Sequence, residues 1–251
     1  HIEYAYIGLE GDFGRVWGGV DDTVYEQQLD HVANFFEGEF RDEDGGRDAR
    51  RHPLGPYTTG RDRLVQYTTP SWGDLRLHAA VQLKEDGNPE VGNGNGDEKE
   101  SRPYQAVLSY TPGNWEWALG MDSNDGGEIN PADAEERIRA GNENTYGGRM
   151  TYEGERWHLT AQYQHRKDVA GVAALLTSYQ IGPNRFTVSW ERERNELAPN
   201  TDSTETTNAY TAQVMHDLTE SMAVYVEGYK ANSNEQTPDR SDLMIGARYR
   251  F

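Results

Sequence analysis

The chain contains no cysteine. A disulfide framework and every cysteine-based metal site are therefore excluded. No run of about eighteen apolar residues occurs, so no transmembrane helix is expected. Apolar residues make up only 35% of the 251, well below the roughly 45–50% of ordinary globular domains. Mean hydropathy is −0.93. A conventional soluble core is hard to build from that supply. Basic residues are scarce too: 24 Lys and Arg stand against 43 Asp and Glu, a net charge of −19. That balance argues against a nucleic-acid partner, because phosphate contacts need a basic surface. It fits a halotolerant surface, a cation-attracting pore, or both. The sequence opens at His1 without a basic-then-apolar leader, and so reads as a mature or truncated form.

Aromatics are plentiful at 11%, with 15 Tyr and 6 Trp, whereas disordered chains are poor in them. The apolar residues alternate. Leu243, Ile245, Ala247, Tyr249 and Phe251 share one face of a terminal strand, and Met244, Gly246, Arg248 and Arg250 the other. The same period of two runs through Leu75–Leu83, Tyr104–Tyr110, Trp115–Met121, Tyr146–Tyr152, Trp157–Tyr163 and Phe186–Trp190. Glu3–Glu10, Arg15–Gly19, Arg63–Thr69, Ala173–Ile181, Asn208–His216 and Met222–Tyr229 complete thirteen expected strands. The faces of Ala173–Ile181 and Met222–Tyr229 are ambiguous.

The connections alternate in length. Gly11–Gly14, Pro70–Asp74, Thr111–Asn114, Glu153–Arg156, Gly182–Asn184 and Asp217–Ser221 are short. Val20–Asp62, Lys84–Pro103, Asp122–Thr145, His165–Val172, Arg192–Thr207 and Lys230–Asp242 are long. Short turns at one end and long loops at the other are the pattern of an outer-membrane β-barrel. A polar lumen and charged loops also account for the composition. Trp72, Tyr110, Trp115, Tyr152, Trp157, Tyr249 and Phe251 would form an aromatic girdle at the short-turn end. Single-chain bacterial barrels have even strand counts, and thirteen is odd. About three further N-terminal strands are expected, which would make sixteen.

Three segments carry a family resemblance. They are Tyr4-Ala-Tyr-Ile-Gly-Leu-Glu-Gly-Asp-Phe-Gly14, Arg61-Asp-Arg-Leu-Val-Gln-Tyr-Thr-Thr-Pro70 and the Tyr249-Arg-Phe251 ending. In this order the sequence resembles the trimeric, sixteen-stranded general porins of Gram-negative bacteria, from their fourth strand onward. The resemblance implies an all-β transmembrane barrel over residues 1–251, seated in the outer membrane among lipid and lipopolysaccharide. It implies a homotrimer that passes small hydrophilic solutes and ions passively, with no cofactor and no catalysis. It also implies that the longest loop, here residues 20–60, folds into the lumen and narrows it.

That loop carries Asp21, Asp22, Glu26, Asp30, Glu37 and Glu39, and a short helix fits Val24–Phe36. Carboxylates in a narrow lumen favour cations. The family sets arginines on the wall opposite; here one such position aligns with Glu3 and another with Arg61, one residue out of register. Arg76, Arg149, Arg185, Arg248 and Arg250 fall on polar faces and form a candidate replacement ladder. A cation-preferring diffusion pore is the resulting expectation. A substrate-specific channel and a soluble acidic β-sandwich binding protein remain as alternatives.

Other constellations point nowhere. Asp122-Ser-Asn-Asp125-Gly-Gly-Glu128 has oxygen ligands without EF-hand spacing. Gly92-Asn-Gly-Asn-Gly96 precedes no P-loop lysine. His78, His158, His165 and His216 are not fixed by spacing beside a nucleophile. No metal site and no enzyme are expected.

Overall fold

In the computed structural model the alternating segments pair into one antiparallel sheet. The structure describes residues 4–32, 35–37, 55–57, 59–83, 102–124, 144–167, 169–195, 205–233 and 240–250. The strands are β1 (Ala5–Gly11), β2 (Gly14–Val20), β3 (Leu64–Thr68), β4 (Leu75–Gln82), β5 (Tyr104–Tyr110), β6 (Trp115–Asp122) and β7 (Thr145–Glu153). They continue with β8 (Trp157–Arg166), β9 (Ala170–Ile181), β10 (Asn184–Asn195), β11 (Glu205–Asp217), β12 (Met222–Ser233) and β13 (Arg240–Tyr249). A helix, α1 (Val24–Leu29), lies between β2 and β3. All thirteen expected strands are present, each bonded to its sequence neighbour. Among the described residues β1 and β13 do not pair, so the sheet has two edges.

One boundary departs from expectation. The long loop expected over His165–Val172 shrinks to residues 167–169, because β8 runs on to Arg166 and β9 begins at Ala170. Alternation continues through Gln164 and Arg166, both buried, and the turn closes through Val169 N–H to Arg166 O at 3.2 Å. The ambiguous faces are resolved as well. Leu175 and Ile181 of β9 point outward, whereas Ala174, Leu176 and Ser178 are buried on the other face. In β12 Met222, Val224 and Val226 are exposed, and Ala223, Glu227 and Tyr229 are buried.

Burial is inverted relative to a water-soluble sheet. Ile7 is 84% exposed and Leu119 66%, whereas Gln164, Glu191 and Glu227 are at 0%. An apolar outer face and a polar inner one suit a wall between lipid and water. Aromatics gather near the short turns: Trp115 packs on Tyr152 at 4.9 Å and Trp157 on Tyr179 at 4.4 Å. Phe251 lies outside the described residues.

The sheet also curls. Val24 N–H donates to Gln66 on β3 at 2.8 Å, while Glu37 is bonded to Arg248 on β13. A flat sheet would separate β3 from β13 by roughly 48 Å, at about 4.8 Å per strand. The chain from Val24 to Glu37, with its helical turn, reaches about 33 Å at most. Contact at both ends requires the polar face to be concave.

Candidate functional site

The long loop after β2 begins with a capped turn of helix. Thr23 is its N-cap, and its Oγ1 accepts from Glu26 N–H at 3.2 Å. Thr23-x-x-Glu26 has capping-box spacing, but the Glu26 carboxylate turns instead to Arg61. The helix stops at Asp30, whose ψ of 58° leaves the helical region. A short helix was expected within Val24–Phe36, and among the described residues the α-helix covers Val24–Leu29.

The wall meets this helix with space and with amides. Gly120 on β6 and Gly147 on β7 lie beneath it. A Cβ on Gly120 would stand 2.8 Å from Leu29 Cδ1, and one on Gly147 2.4 Å from Tyr25 Oη and 3.1 Å from Leu29 Cδ1. Side chains at either position would lift the helix. Gly147→Ala is expected to cost about 1–3 kcal/mol, as overpacked cores do. The loss is measurable as increased hydrogen exchange at the Tyr25 N–H.

Buried glutamines from alternate positions on the wall take up the backbone groups of the loop. Gln66 on β3 accepts from Val24 N–H at 2.8 Å and donates to Asp22 O at 3.0 Å. Gln105 on β5 accepts from Tyr25 N–H at 3.1 Å. Gln162 on β8 accepts from both His31 N–H and Val32 N–H, each at 3.1 Å. Gln164 donates to Asp30, and Gln82 on β4 accepts from Gly60 N–H at 3.3 Å. The open N–H groups at the start of the helix, and those of the chain just beyond its end, are thereby met. An apolar patch of Val32, Phe36, Ala174 and Leu176 secures the segment beyond. Leu176 is apolar on a polar face for this reason, which is why β9 had no clear alternation.

The charges divide into wetted and buried. Arg61 spans two carboxylates: its Nε is 2.9 Å from Asp22 Oδ1 and donates to Glu26 Oε2 at 3.2 Å, while Nη2 meets Glu26 Oε1. The Glu26 hydrogen bond, chiefly, raises the Arg61 pKa further. Asp21 accepts from Trp17 Nε1–H at 2.8 Å. Burial and the neighbouring Glu26 push Asp22 above the usual carboxylate range. Asp30 is fully buried, and burial pushes it up to about 7, with the Tyr57 hydroxyl, the Gln164 amide and the Gly55 N–H acting the other way. His31 moves oppositely, down to about 4, through burial and the Arg149 charge. Its Nε2 lies 2.8 Å from Gln27 O. A carbonyl only accepts, so Nε2 carries the hydrogen.

A family model describing the Gram-negative porins matches residues 2–237. The chain belongs to the Gram-negative porin family. It is an outer-membrane β-barrel channel protein. Solved porin structures share its fold. OmpF of Salmonella typhi, in complex with daunomycin, is similar at a TM-score of 0.71 with 11% identity, over 99% of this chain and 78% of that one. A loop L8 deletion mutant of OmpT, an outer membrane protein of Vibrio cholerae, is similar at 0.66 with 14% identity, over 99% and 80%. A porin refined at 1.8 Å resolution is similar at 0.64 with 17% identity, over 98% and 80%. No curated protein matches the sequence.

On this porin wall the predicted residues separate. Asp21, Asp22, Glu26 and Arg61 come together at the start of the loop, and Glu37 meets Arg248 further along. Arg149 is buried beneath the loop, where Nε donates to Gln28 O at 2.6 Å and Nη2 pairs with Glu116. Arg76 is exposed near a short turn and donates to Ser71 Oγ at 2.7 Å. Arg185 and Arg250 also lie toward the short turns. Glu3 and Glu39 fall outside the described residues. Sequence reasoning missed the five glutamines. Their one signal was position: each sits on a polar face within a strand.

Proposed function

We propose that residues 20–60 form a constriction loop across an aqueous pore, and that the pore prefers cations. One observation carries the reading: at the start of the loop two carboxylates, Asp22 and Glu26, share a single guanidinium, Arg61, and a third, Asp21, accepts from Trp17 with no cation of its own among the described residues. Arg149 and Arg248 add little positive field to oppose them, because Glu116 and Glu37 pair with them. In this reading Asp21, Asp22 and Glu37 face the permeating solute. Arg149, Asp30 and Glu26 hold the loop.

A unit charge at about 6 Å in water is worth roughly 0.7 kcal/mol, or about threefold in local cation occupancy. Asp21→Asn with Asp22→Asn is therefore expected to lower the potassium-to-chloride permeability ratio severalfold. Reversal potentials across a planar bilayer in a KCl gradient measure it. Anion preference in the unmodified protein would overturn the reading. OmpT of Vibrio cholerae has a trimer form, and we infer a trimer here as well. Chemical cross-linking of the unheated protein tests that.

A further inference from the structure

Strand β2 turns a tryptophan toward the polar inner face. Trp17 is 5% exposed and packs with Val24 of α1 and Ala80 of β4. Gly8 on β1 stands opposite it in register, where a Cβ would lie 2.7 Å from Trp17 Cβ, so the glycine leaves the space the ring needs. The Arg15 guanidinium stacks 4.6 Å from the ring centre. The indole is therefore held from several sides. A buried indole N–H needs an acceptor, and here Nε1–H donates to Asp21 Oδ2 at 2.8 Å. On a straight strand two residues four apart have Cα atoms roughly 13 Å from each other. Gly19 interrupts the straight path. Its φ of 140° is one that side-chain-bearing residues rarely adopt, and a Cβ there would collide with Ala5 O. β2 then ends at Val20, and the Asp21 carboxylate reaches back to the ring.

The other bonds of that carboxylate come from the loop itself. Oδ1 accepts from Asp22 N–H at 2.9 Å. Gln27 Nε2 lies 3.5 Å from Oδ2, at the limit of a hydrogen bond, and is better engaged by Asp22 O at 2.6 Å. Among the described residues, the Trp17 bond alone ties the Asp21 carboxylate to the wall. Asp22 is fixed differently, by Arg61 Nε at 2.9 Å and by the Tyr4 hydroxyl at 3.4 Å. Hydrogen bonds to an ionised acceptor are among the strong ones. A neutral donor such as an indole can thus hold a carboxylate in place without cancelling its charge.

We propose that Trp17 is a positioning residue for ion selectivity: its indole N–H fixes where the Asp21 carboxylate stands, and with it the field that carboxylate exerts on passing ions. The proposal rests on residues 20–60 being the constriction loop. Trp17 is buried and touches no solute; it acts through Asp21. A unit charge in water changes local cation occupancy about threefold at about 6 Å and about twofold at about 10 Å. A carboxylate released from the wall spreads over its rotamers and stands farther, on average, from the path of the ions.

The test measures reversal potentials of the whole protein in a planar bilayer under a KCl gradient. It compares the unmodified protein, Asp21→Asn, Trp17→Phe and the double variant. Phenylalanine keeps an apolar ring between Val24 and Ala80 and removes the donor. Asp21→Asn is expected to lower the potassium-to-chloride permeability ratio about threefold alone, and by about twofold or less in the Trp17→Phe background. Asp22→Asn is expected to give the same loss in both backgrounds. A tryptophan that merely filled space would leave the effect of Asp21→Asn unchanged by Trp17→Phe. Unheated gel mobility confirms that each variant is folded, and Trp17→Met serves as a second variant without the donor. An equal or larger loss from Asp21→Asn in both donor-free backgrounds overturns the proposal, as does no loss from Asp21→Asn alone. The comparison reads a difference between losses and not the sign of the selectivity. Anion preference in the unmodified protein would sink the cation preference and still leave the role of Trp17 to be decided by these variants.

Discussion

Gln162→Leu is expected to release the long loop from the wall and to raise single-channel conductance. Gln162 is buried and its Oε1 accepts two consecutive backbone amides, His31 N–H and Val32 N–H, at 3.1 Å each. Leucine fills much of the same space but accepts nothing. Two buried N–H groups would lose their partner, at about 1–3 kcal/mol each. That is comparable with the stability of a small folded unit. The apolar patch of Val32 and Phe36 on Ala174 and Leu176 resists release, but those same residues move if the chain at Val32 lifts to let water reach the amides. The N-terminal anchors at Gln66 and Gln105 stay in place. The loop should therefore swing about α1 instead of leaving the wall altogether. Larger and noisier current steps are the expected record. Gln162→Glu keeps an acceptor oxygen, charged or neutral, and should hold conductance near the unmodified value. Equal conductance in all three proteins would show that the glutamine does not set the position of the loop.

The strands were legible because their signal is local. In Leu75–Leu83 and in Trp157–Tyr163 each outward position is apolar, and the fold followed directly. The faces of β9 were not legible, because Leu176 points inward to meet the loop, and that partner lies about 140 residues earlier in the chain. The loop itself was legible from length and from a family likeness. Its chemistry was only half legible. A sequence displays charge but not burial, so Asp30 and Arg149 looked like pore-lining groups. Asp30 lies against Gln164, and Arg149 lies beneath Gln28. The glutamines were invisible for the opposite reason. An uncharged polar residue on a polar face looks like ordinary lining until the backbone it holds is placed against it. Gly120 and Gly147 are similar: they resemble strand-weakening residues until Leu29 and Tyr25 are seen above them.

Asp30 and His31 are expected to give the anchored loop two opposing pH responses that nearly cancel. Asp30 rises from its ordinary value to about 7 when the loop is anchored. A raised acid stabilises the anchored state fully below about pH 4, and that contribution is lost as pH climbs to about 7. His31 falls to about 4. Below its ordinary range near 6.5 the released loop takes up a proton that the anchored loop refuses, so anchoring weakens as pH falls from about 6.5 toward 4. At about 1.4 kcal/mol per pH unit, the two contributions are about 4 and about 3 kcal/mol, of opposite sign. His31 is only partly buried, which trims its share. Glu26, Tyr57 and Gln164 face Asp30; Arg149, Glu116 and His158 act on His31. Hydrogen exchange at the Tyr25 and Val32 amides, followed from pH 4 to pH 8, should therefore change little beyond its intrinsic pH dependence. Asp30→Asn removes one arm, so protection should weaken toward acid. His31→Gln removes the other, so protection should weaken toward neutral pH. Opposite slopes in the two variants are the decisive result. If Asp30→Asn keeps the profile of the unmodified protein, Asp30 does not titrate between these states and the compensation does not exist.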